Sequence, residues 1–281
     1  MRVYLDHNAT TPLHPCAREA MLPCLEEVFG NPSSSHSWGQ QARAALESAR
    51  ADLAALIGAQ RDEIIFTSGG TESINLALAG VMAAKTSGRI VTTTVEHPAV
   101  TETLSSLEAD GHEVVRLAVD EDGCLDPDNL EKLITPDVNL VSVMLANHEV
   151  GALQPVAQAA QAAKRVGAVF HTDAVQALGK IEIDVDSLGV DLLSISAHKA
   201  YGPKGVGALY VRTGTDLAPT LFGGKQEKGL RAGTENVAAA VGFAAAAGIV
   251  VGELDSSAPR LQKLSQQLFD SISTRIPGLI W

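Results

Sequence analysis

Rings are scarce in this chain: Phe, Trp and Tyr make up 4% of its 281 residues. A core with so few rings is filled by aliphatic side chains and alanine, which suits helices lying close on a sheet. Cysteine is scarcer still. Cys16, Cys24 and Cys124 are an odd number without CxxC spacing, which argues against a disulfide framework or a zinc knuckle, and no metal site is expected. Positive charge is in the minority, 21 Lys plus Arg against 33 Asp plus Glu for a net charge of -12. No Lys/Arg-rich run stands against that balance, so nucleic acid is not an expected partner. Long apolar runs are missing too. The longest, 237–251, is broken by glycines and too short to span a bilayer, so no membrane partner is expected. The stretch Met1-Arg2-Val3-Tyr4-Leu5-Asp6-His7 has neither the apolar core nor the cleavage site of a signal peptide. A soluble cytoplasmic protein is the resulting expectation.

What is present is globular. Hydrophobic residues reach 46% and charged residues 19%, which excludes a disordered chain, and the length allows one large domain with or without a small one. Short β-branched runs at 64–67, 90–94, 113–117, 140–145, 168–171, 192–196 and 208–211 read as strands, several of them apolar throughout. Helix-length segments at 70–84, 98–109, 126–134 and 155–166 separate most of them. This alternation predicts an α/β fold, a mostly parallel seven-stranded sheet with helices on both faces. Only 11 residues separate Ser196 from Ala208, too few for a parallel crossover, so the last strand is expected to run antiparallel and the sheet to be mixed. Upstream, Ala42, Ala45, Leu46, Ala49, Leu53 and Leu56 mark an amphipathic helix, and another is expected around Cys16 and Cys24. Residues 261–276 read as a helix. Pro277-Gly278-Leu279-Ile280-Trp281 then ends apolar, the pattern expected of a chain cut short.

Three constellations carry chemistry. Thr67-Ser68-Gly69-Gly70-Thr71-Glu72-Ser73 joins a strand to a helix, where free N–H groups at the helix start suit a phosphate; an ordinary capped turn has the same look. Asp173, in Phe170-His171-Thr172-Asp173-Ala174-Val175-Gln176, ends an apolar strand, where a carboxylate calls for a cationic partner; it also fits a helix N-cap. In Ser196-Ala197-His198-Lys199 a lysine follows directly on a buried strand, with a Gly/Pro loop after it; alone, it is a surface charge. Together the three put a phosphate cradle, a buried acid and a lysine at the carboxyl edge of one sheet. Those are the parts that pyridoxal phosphate needs.

The chain resembles the class V aminotransferase group of fold type I pyridoxal-phosphate enzymes, and most nearly its cysteine desulfurase branch. The resemblance rests on blocks in family order. They are Leu5-Asp6-His7-Asn8-Ala9-Thr10-Thr11-Pro12, Gly30-Asn31-Pro32-Ser33-Ser34-Ser35-His36, Thr67 through Ser73, Thr94-Val95-Glu96-His97, Asn147-His148-Glu149-Val150-Gly151, His171 through Gln176, Ser196 through Lys199 and Gly229-Leu230-Arg231-Ala232-Gly233-Thr234. It implies that Lys199 carries the cofactor, that Asp173 pairs with the ring nitrogen and that Gln176 binds the ring hydroxyl. His97 would stack on the ring and help move protons; as a residue before Pro98 it could equally cap a helix. Gly70, Thr71, Ser196 and His198 would hold the phosphate, and Thr234 the phosphate of a neighbouring subunit's cofactor, so a homodimer is implied. Relatives often have two asparagines where this chain has Asn147-His148, which leaves open which of the two meets the ring. Lys225 stands where relatives often carry a glycine.

The same resemblance divides the chain into residues 1–14 packing with a small domain, 15–255 as the large cofactor-binding domain and 256–281 as the start of the small domain. It implies desulfuration of L-cysteine to L-alanine, the sulfur passing as an enzyme persulfide to an acceptor or scaffold protein for iron–sulfur cluster or thiocofactor assembly. The thiolate nucleophile and the arginine for the substrate carboxylate would then fall beyond residue 281, and this chain alone would not complete the reaction. Other class V enzymes (a selenocysteine lyase, an aminotransferase) and a non-catalytic cofactor-binding scaffold are the competing expectations. Uncovered apolar surface is expected where the small domain belongs.

Overall fold

The computed structural model describes residues 2–85, 88–276 and 278. Pro15–Glu26 forms α1 and Ser37–Ala55 forms α2. Each starts on a histidine: the His14 Nδ1 accepts the Cys16 N–H, and the His36 Nδ1 accepts the Gly39 N–H. The stripe read from α2 turns inward, with Ala42, Leu46, Ala49 and Leu53 buried. Strand and helix then alternate through β1 (Ile64–Thr67), α3 (Gly70–Ala83), β2 (Arg89–Thr93), α4 (Pro98–Ala109) and β3 (Glu113–Leu117). The alternation continues through α5 (Pro127–Leu133), β4 (Val138–Ser142), α6 (Val156–Val166), β5 (Val169–Asp173), α7 (Val185–Leu188) and β6 (Leu192–Ser196). After β7 (Gly207–Val211) the chain finishes in α8 (Val237–Gly252) and α9 (Leu254–Ser273).

One seven-stranded sheet results, in the order β1-β7-β6-β5-β4-β2-β3. Strand β7 runs antiparallel to both β1 and β6, and every other pairing is parallel. The expected mixed sheet with one reversed strand is therefore what forms. One face packs Phe66, Phe170, Leu193 and Ile195 against α2, α6 and α8. The other packs Ile65, Ile90, Leu140 and Leu209 against α3 and α4. Helix α8 is alanine-rich and buried, and it lets α1 approach so closely that a Cβ on Gly242 would sit 2.6 Å from Met21.

Several boundaries move. The strand read at 140–145 is regular over Val138–Ser142, although the N–H groups of Val143 and Leu145 still bond to the carbonyls of His171 and Asp173. The strand read at 168–171 continues to Asp173, because pairing with β6 supplies backbone partners as far as that acid. The helix read at 261–276 begins earlier, at Leu254, and ends at Ser273. Its axis bends 68° from α8, and Leu261, Leu264 and Leu268 lie exposed on it. No single helix among the described residues is long and apolar enough to cross a membrane. The apolar ending read at 277–281 lies outside the described residues apart from Gly278.

Candidate active site

Five connections at the carboxyl edge of the sheet meet around a cavity of about 260 Å³. The turn from β1 to α3 contributes Gly70 and Thr71, whose first-turn N–H groups have no acceptor within their own helix. Gly69 has φ +156° there, a conformation open to glycine, and a Cβ on Gly70 would meet Val175 Cγ2 at 2.8 Å. The end of β2 leads to His97, and the connection after β4 brings Met144, Ala146 and His148. The end of β5 contributes Asp173, Val175 and Gln176. The end of β6 contributes Ser196, His198 and Lys199. Residues 8–14, expected to pack on a small domain, lie along this last segment. Thr11 bonds to the His198 carbonyl through both N–H and Oγ1, Thr10 Oγ1 meets His198 Nδ1, and His14 N–H meets the Tyr201 carbonyl.

Electrostatics sharpens each group. Lys199 is half-buried and its Nζ donates to the Asn8 carbonyl. Burial pushes its pKa down, against the opposing charges of Asp173 and Asp6, toward the neutral amine needed for attack on an aldehyde. Asp173 is pushed up to about 6 by burial, against the Val175 N–H that it accepts and the charge of Lys199. A cation opposite Asp173 is what would restore its ionised form. Lys180, which donates to Gln176 Oε1, is pushed down to about 8 by burial and by Lys199. Gln176 also donates its Nε2 to the Asn8 carbonyl at 3.0 Å.

A phosphorylated pyridine fits these residues. The free helix start, the open space over Gly69 and the Ser196 Oγ, buried without a partner among the described residues, form the anion end. The buried Asp173 forms the other end. The His148 Nδ1 is likewise buried and unpartnered, and the His148 ring meets that of His97 edge-on, with centroids 5.2 Å apart at 70°.

Two residues named from the sequence stand elsewhere. Asn147 is outside the cavity lining: its Nδ2 donates to the Val95 carbonyl and its Oδ1 accepts the N–H groups of Glu149 and Val150. Thr234 lines a separate cavity of about 170 Å³. Its loop is tied down by Arg231, which pairs with Glu72 at 2.7 Å, and by Glu227, which receives Arg50 in two hydrogen bonds of 2.6 Å. No cysteine lines the 260 Å³ cavity.

Sequence reading missed Glu96 and the Asn8 carbonyl. Buried Glu96 takes the Thr93 hydroxyl at 2.7 Å and the Met144 N–H at 3.0 Å on one oxygen, and so ties the connection carrying His97 to the one carrying Met144 and His148. A buried acid directly before the motif histidine was the available signal. The backbone carbonyl of Asn8 has no signal in side-chain chemistry.

A parallel-sheet edge with a lysine, a buried acid and a helix start converging on one cavity defines a pyridoxal-phosphate transferase of fold type I. Comparison with known proteins narrows this. The aminotransferase class-V family model matches residues 3–279. The cysteine desulfurase IscS of Dictyoglomus turgidum is 51% identical over 276 residues, 98% of this chain and 70% of that protein. The cysteine desulfurase of Cereibacter sphaeroides is 50% identical over 279 residues, covering 98% and 71%. A solved NifS-like protein superposes with TM-score 0.95 at 43% identity, over 98% of this chain and 76% of that one. The structure of SspA in complex with cysteine matches with TM-score 0.85 at 38% identity, over 88% and 72%. The chain belongs to the class V aminotransferases and, within them, to the cysteine desulfurase group, a pyridoxal-phosphate-dependent family. It spans about 70% of the length of the curated relatives named here.

Proposed function

We propose that residues 1–281 form the cofactor-carrying part of a cysteine desulfurase, which takes L-cysteine to L-alanine and hands its sulfur to a thiol as persulfide. The observation that carries this is the convergence of Lys199, Asp173, Gln176, Ser196 and the start of α3 on one cavity. Bound there, pyridoxal phosphate supplies an electron sink for the substrate carbon next to the amino group. Lys199 Nζ would hold the cofactor, and its amine would move protons within the cavity. Asp173 keeps a ring nitrogen protonated by opposite charge. Gly70, Thr71, Ser196 and His198 bind the phosphate, Gln176 the ring hydroxyl, and His97 covers a ring face beside His148.

The finer assignments follow the same reading. The sulfur goes to an acceptor or scaffold protein for iron–sulfur cluster or thiocofactor assembly, in the cytoplasm. The active form is a homodimer in which Thr234 serves the neighbouring cavity. Residues 15–255 act as the large domain, with 1–14 and 256–281 belonging to a smaller one. Because Cys16, Cys24 and Cys124 all lie away from the cavity lining, the persulfide carrier is none of these three.

The test is spectroscopic. The chain incubated with pyridoxal phosphate and desalted should absorb visible light, and borohydride should fix the cofactor to a peptide containing Lys199. Lys199→Ala should abolish both. Retained colour that borohydride fixes elsewhere would remove Lys199 from its role.

A further inference from the structure

Gln176 lines the cavity, and its side chain is held from two sides. The connection after β5 coils back on itself: the N–H groups of Leu178 and Ile181 bond to the carbonyls of Ala174 and Ala177. That winding brings Lys180 beside Gln176, its neighbour four residues back. Lys180 Nζ donates to Gln176 Oε1, and Gln176 Nε2 donates to the Asn8 carbonyl at 3.0 Å. The two ends of a carboxamide have nearly the same shape, so its partners decide which way it points. Both partners here are unambiguous, since an ammonium only donates and a carbonyl only accepts. Turning the amide over would set Nε2–H against Lys180 and Oε1 against the Asn8 oxygen, and both bonds would be lost. We propose that Lys180 is a positioning residue: by holding Gln176 Oε1 on its own side, it leaves the second N–H of Nε2 as the group that Gln176 offers a ligand, which must meet it with an oxygen acceptor.

The consequence falls on the bound cofactor, and it rests on the reading above in which Gln176 meets the ring hydroxyl. An oxygen that receives an N–H is favoured in its ionised form. The proton it gives up is then kept by the nitrogen joining Lys199 to the cofactor, and that protonated, conjugated arrangement absorbs visible light. Lys180 acts here without touching the cofactor, because it stands outside the cavity lining. Its hold extends further through Asn8, whose carbonyl also receives Lys199 Nζ, so one oxygen aligns both the amide and the amine. Lys180 is exposed as a residue, with its amine turned inward to Gln176. Burial first, and then the charge of Lys199, push that amine down to about 8, which still leaves it mostly cationic at neutral pH.

The first readout needs no cofactor. In NMR of the 15N-labelled, cofactor-free chain, the side-chain amide signals of Gln176 are assigned by their absence in Gln176→Glu. Lys180→Met removes the donor and should shift or broaden them, and Lys180→Arg, which keeps a donor, should bring them back. The second readout is the spectrum of the chain loaded with pyridoxal phosphate. Lys180→Met should lose visible absorbance several-fold in favour of the near-ultraviolet band, and Lys180→Arg should restore it. Both variants should melt near the wild type, since an exposed side chain is exchanged. Unmoved amide signals in Lys180→Met would overturn the proposal. A spectral change without them would overturn it too, because the charge of Lys180 rather than its bond to Gln176 would then be at work. Moved amide signals with an unchanged spectrum would show that the amide meets no ring oxygen, which is equally fatal. Failure of the wild-type chain to take up cofactor would sink the cofactor reading, and the amide signals would still decide whether Lys180 orients Gln176.

Discussion

Glu96 and His171 are two buried titratable groups that pull the pH dependence of stability in opposite directions. Glu96 sits near 8 in the folded chain, and an unfolded Glu near 4.3. The unfolded chain therefore loses this proton first. The stabilising contribution of neutral Glu96 is complete below about 4.3 and is lost as pH rises toward 8, by at most about 1.4 kcal/mol per pH unit. His171 is bonded to Ser142 at 2.9 Å and Ser194 at 3.0 Å, and burial pushes it down to about 3. Its contribution is present above about 6.5 and falls away on acidification. Glu96→Gln keeps a carbonyl oxygen for the Thr93 and Met144 donors and removes the ionisation. Urea unfolding of the cofactor-free chain should show this variant gaining on the wild type between pH 6 and pH 8.5. A gap that does not change with pH would mean that Glu96 ionises freely in the fold.

Among the elements, the turn between β1 and α3 depends on a neighbour far along the chain. Gly207 opens β7, and a Cβ there would stand 2.7 Å from the Gly69 carbonyl carbon and 2.8 Å from the Ile195 carbonyl oxygen. Backbone on both sides cannot yield as a side chain would. Gly207→Ala should therefore cost on the order of 1–3 kcal/mol and weaken cofactor retention by displacing Gly69 and Gly70, measured as a lower melting temperature and faster loss of visible absorbance. An unshifted melt would show the strand start to be loose. The glycine was visible in the sequence; its role was not, since that depends on which strand lies beside β1. Legibility followed the same line elsewhere. Apolar runs and short connections revealed seven strands and the reversed β7, because periodicity and connection length are local properties. Helix α8 went unassigned because a helix buried all round has no polar stripe to mark its period. Lys199, Asp173 and Gly70 were legible as strand-end residues. The displacement of Asn147 into its own loop was not, because it depends on hydrogen bonds to Val95, Glu149 and Val150 that only the folded connection brings within reach.

At the scale of the whole molecule, the placement of Thr234 bears on association. Its loop is firmly held: Glu227 and Lys228 adopt positive φ of 45° and 59°, and the Arg50–Glu227 pair and the Arg231–Glu72 pair fasten it to the body. Backbone strain kept in place by two ion pairs, one of them buried, indicates a loop whose shape matters. Yet Thr234 does not line the 260 Å³ cavity that holds Lys199 and Asp173 of its own chain. Near the start of the same loop Phe222 is 83% exposed, and Lys225 and Gln226 share a groove with Pro32 and Ser33 in the segment that connects exposed Phe29 to exposed Trp38. Large apolar side chains bared on both borders of a rigid loop suit burial against another protein surface. If a second copy of this chain supplies that surface, association and cofactor retention must be linked, since Thr234 then completes the partner's phosphate site. Sedimentation velocity over a concentration series should find the cofactor-loaded chain dimeric. Phe222→Glu should shift it toward monomer and speed cofactor loss on dilution, while Lys199→Ala remains dimeric. A wild-type monomer that keeps its cofactor at high dilution would disconnect Thr234 from the phosphate and make the rigid loop a feature of this chain alone.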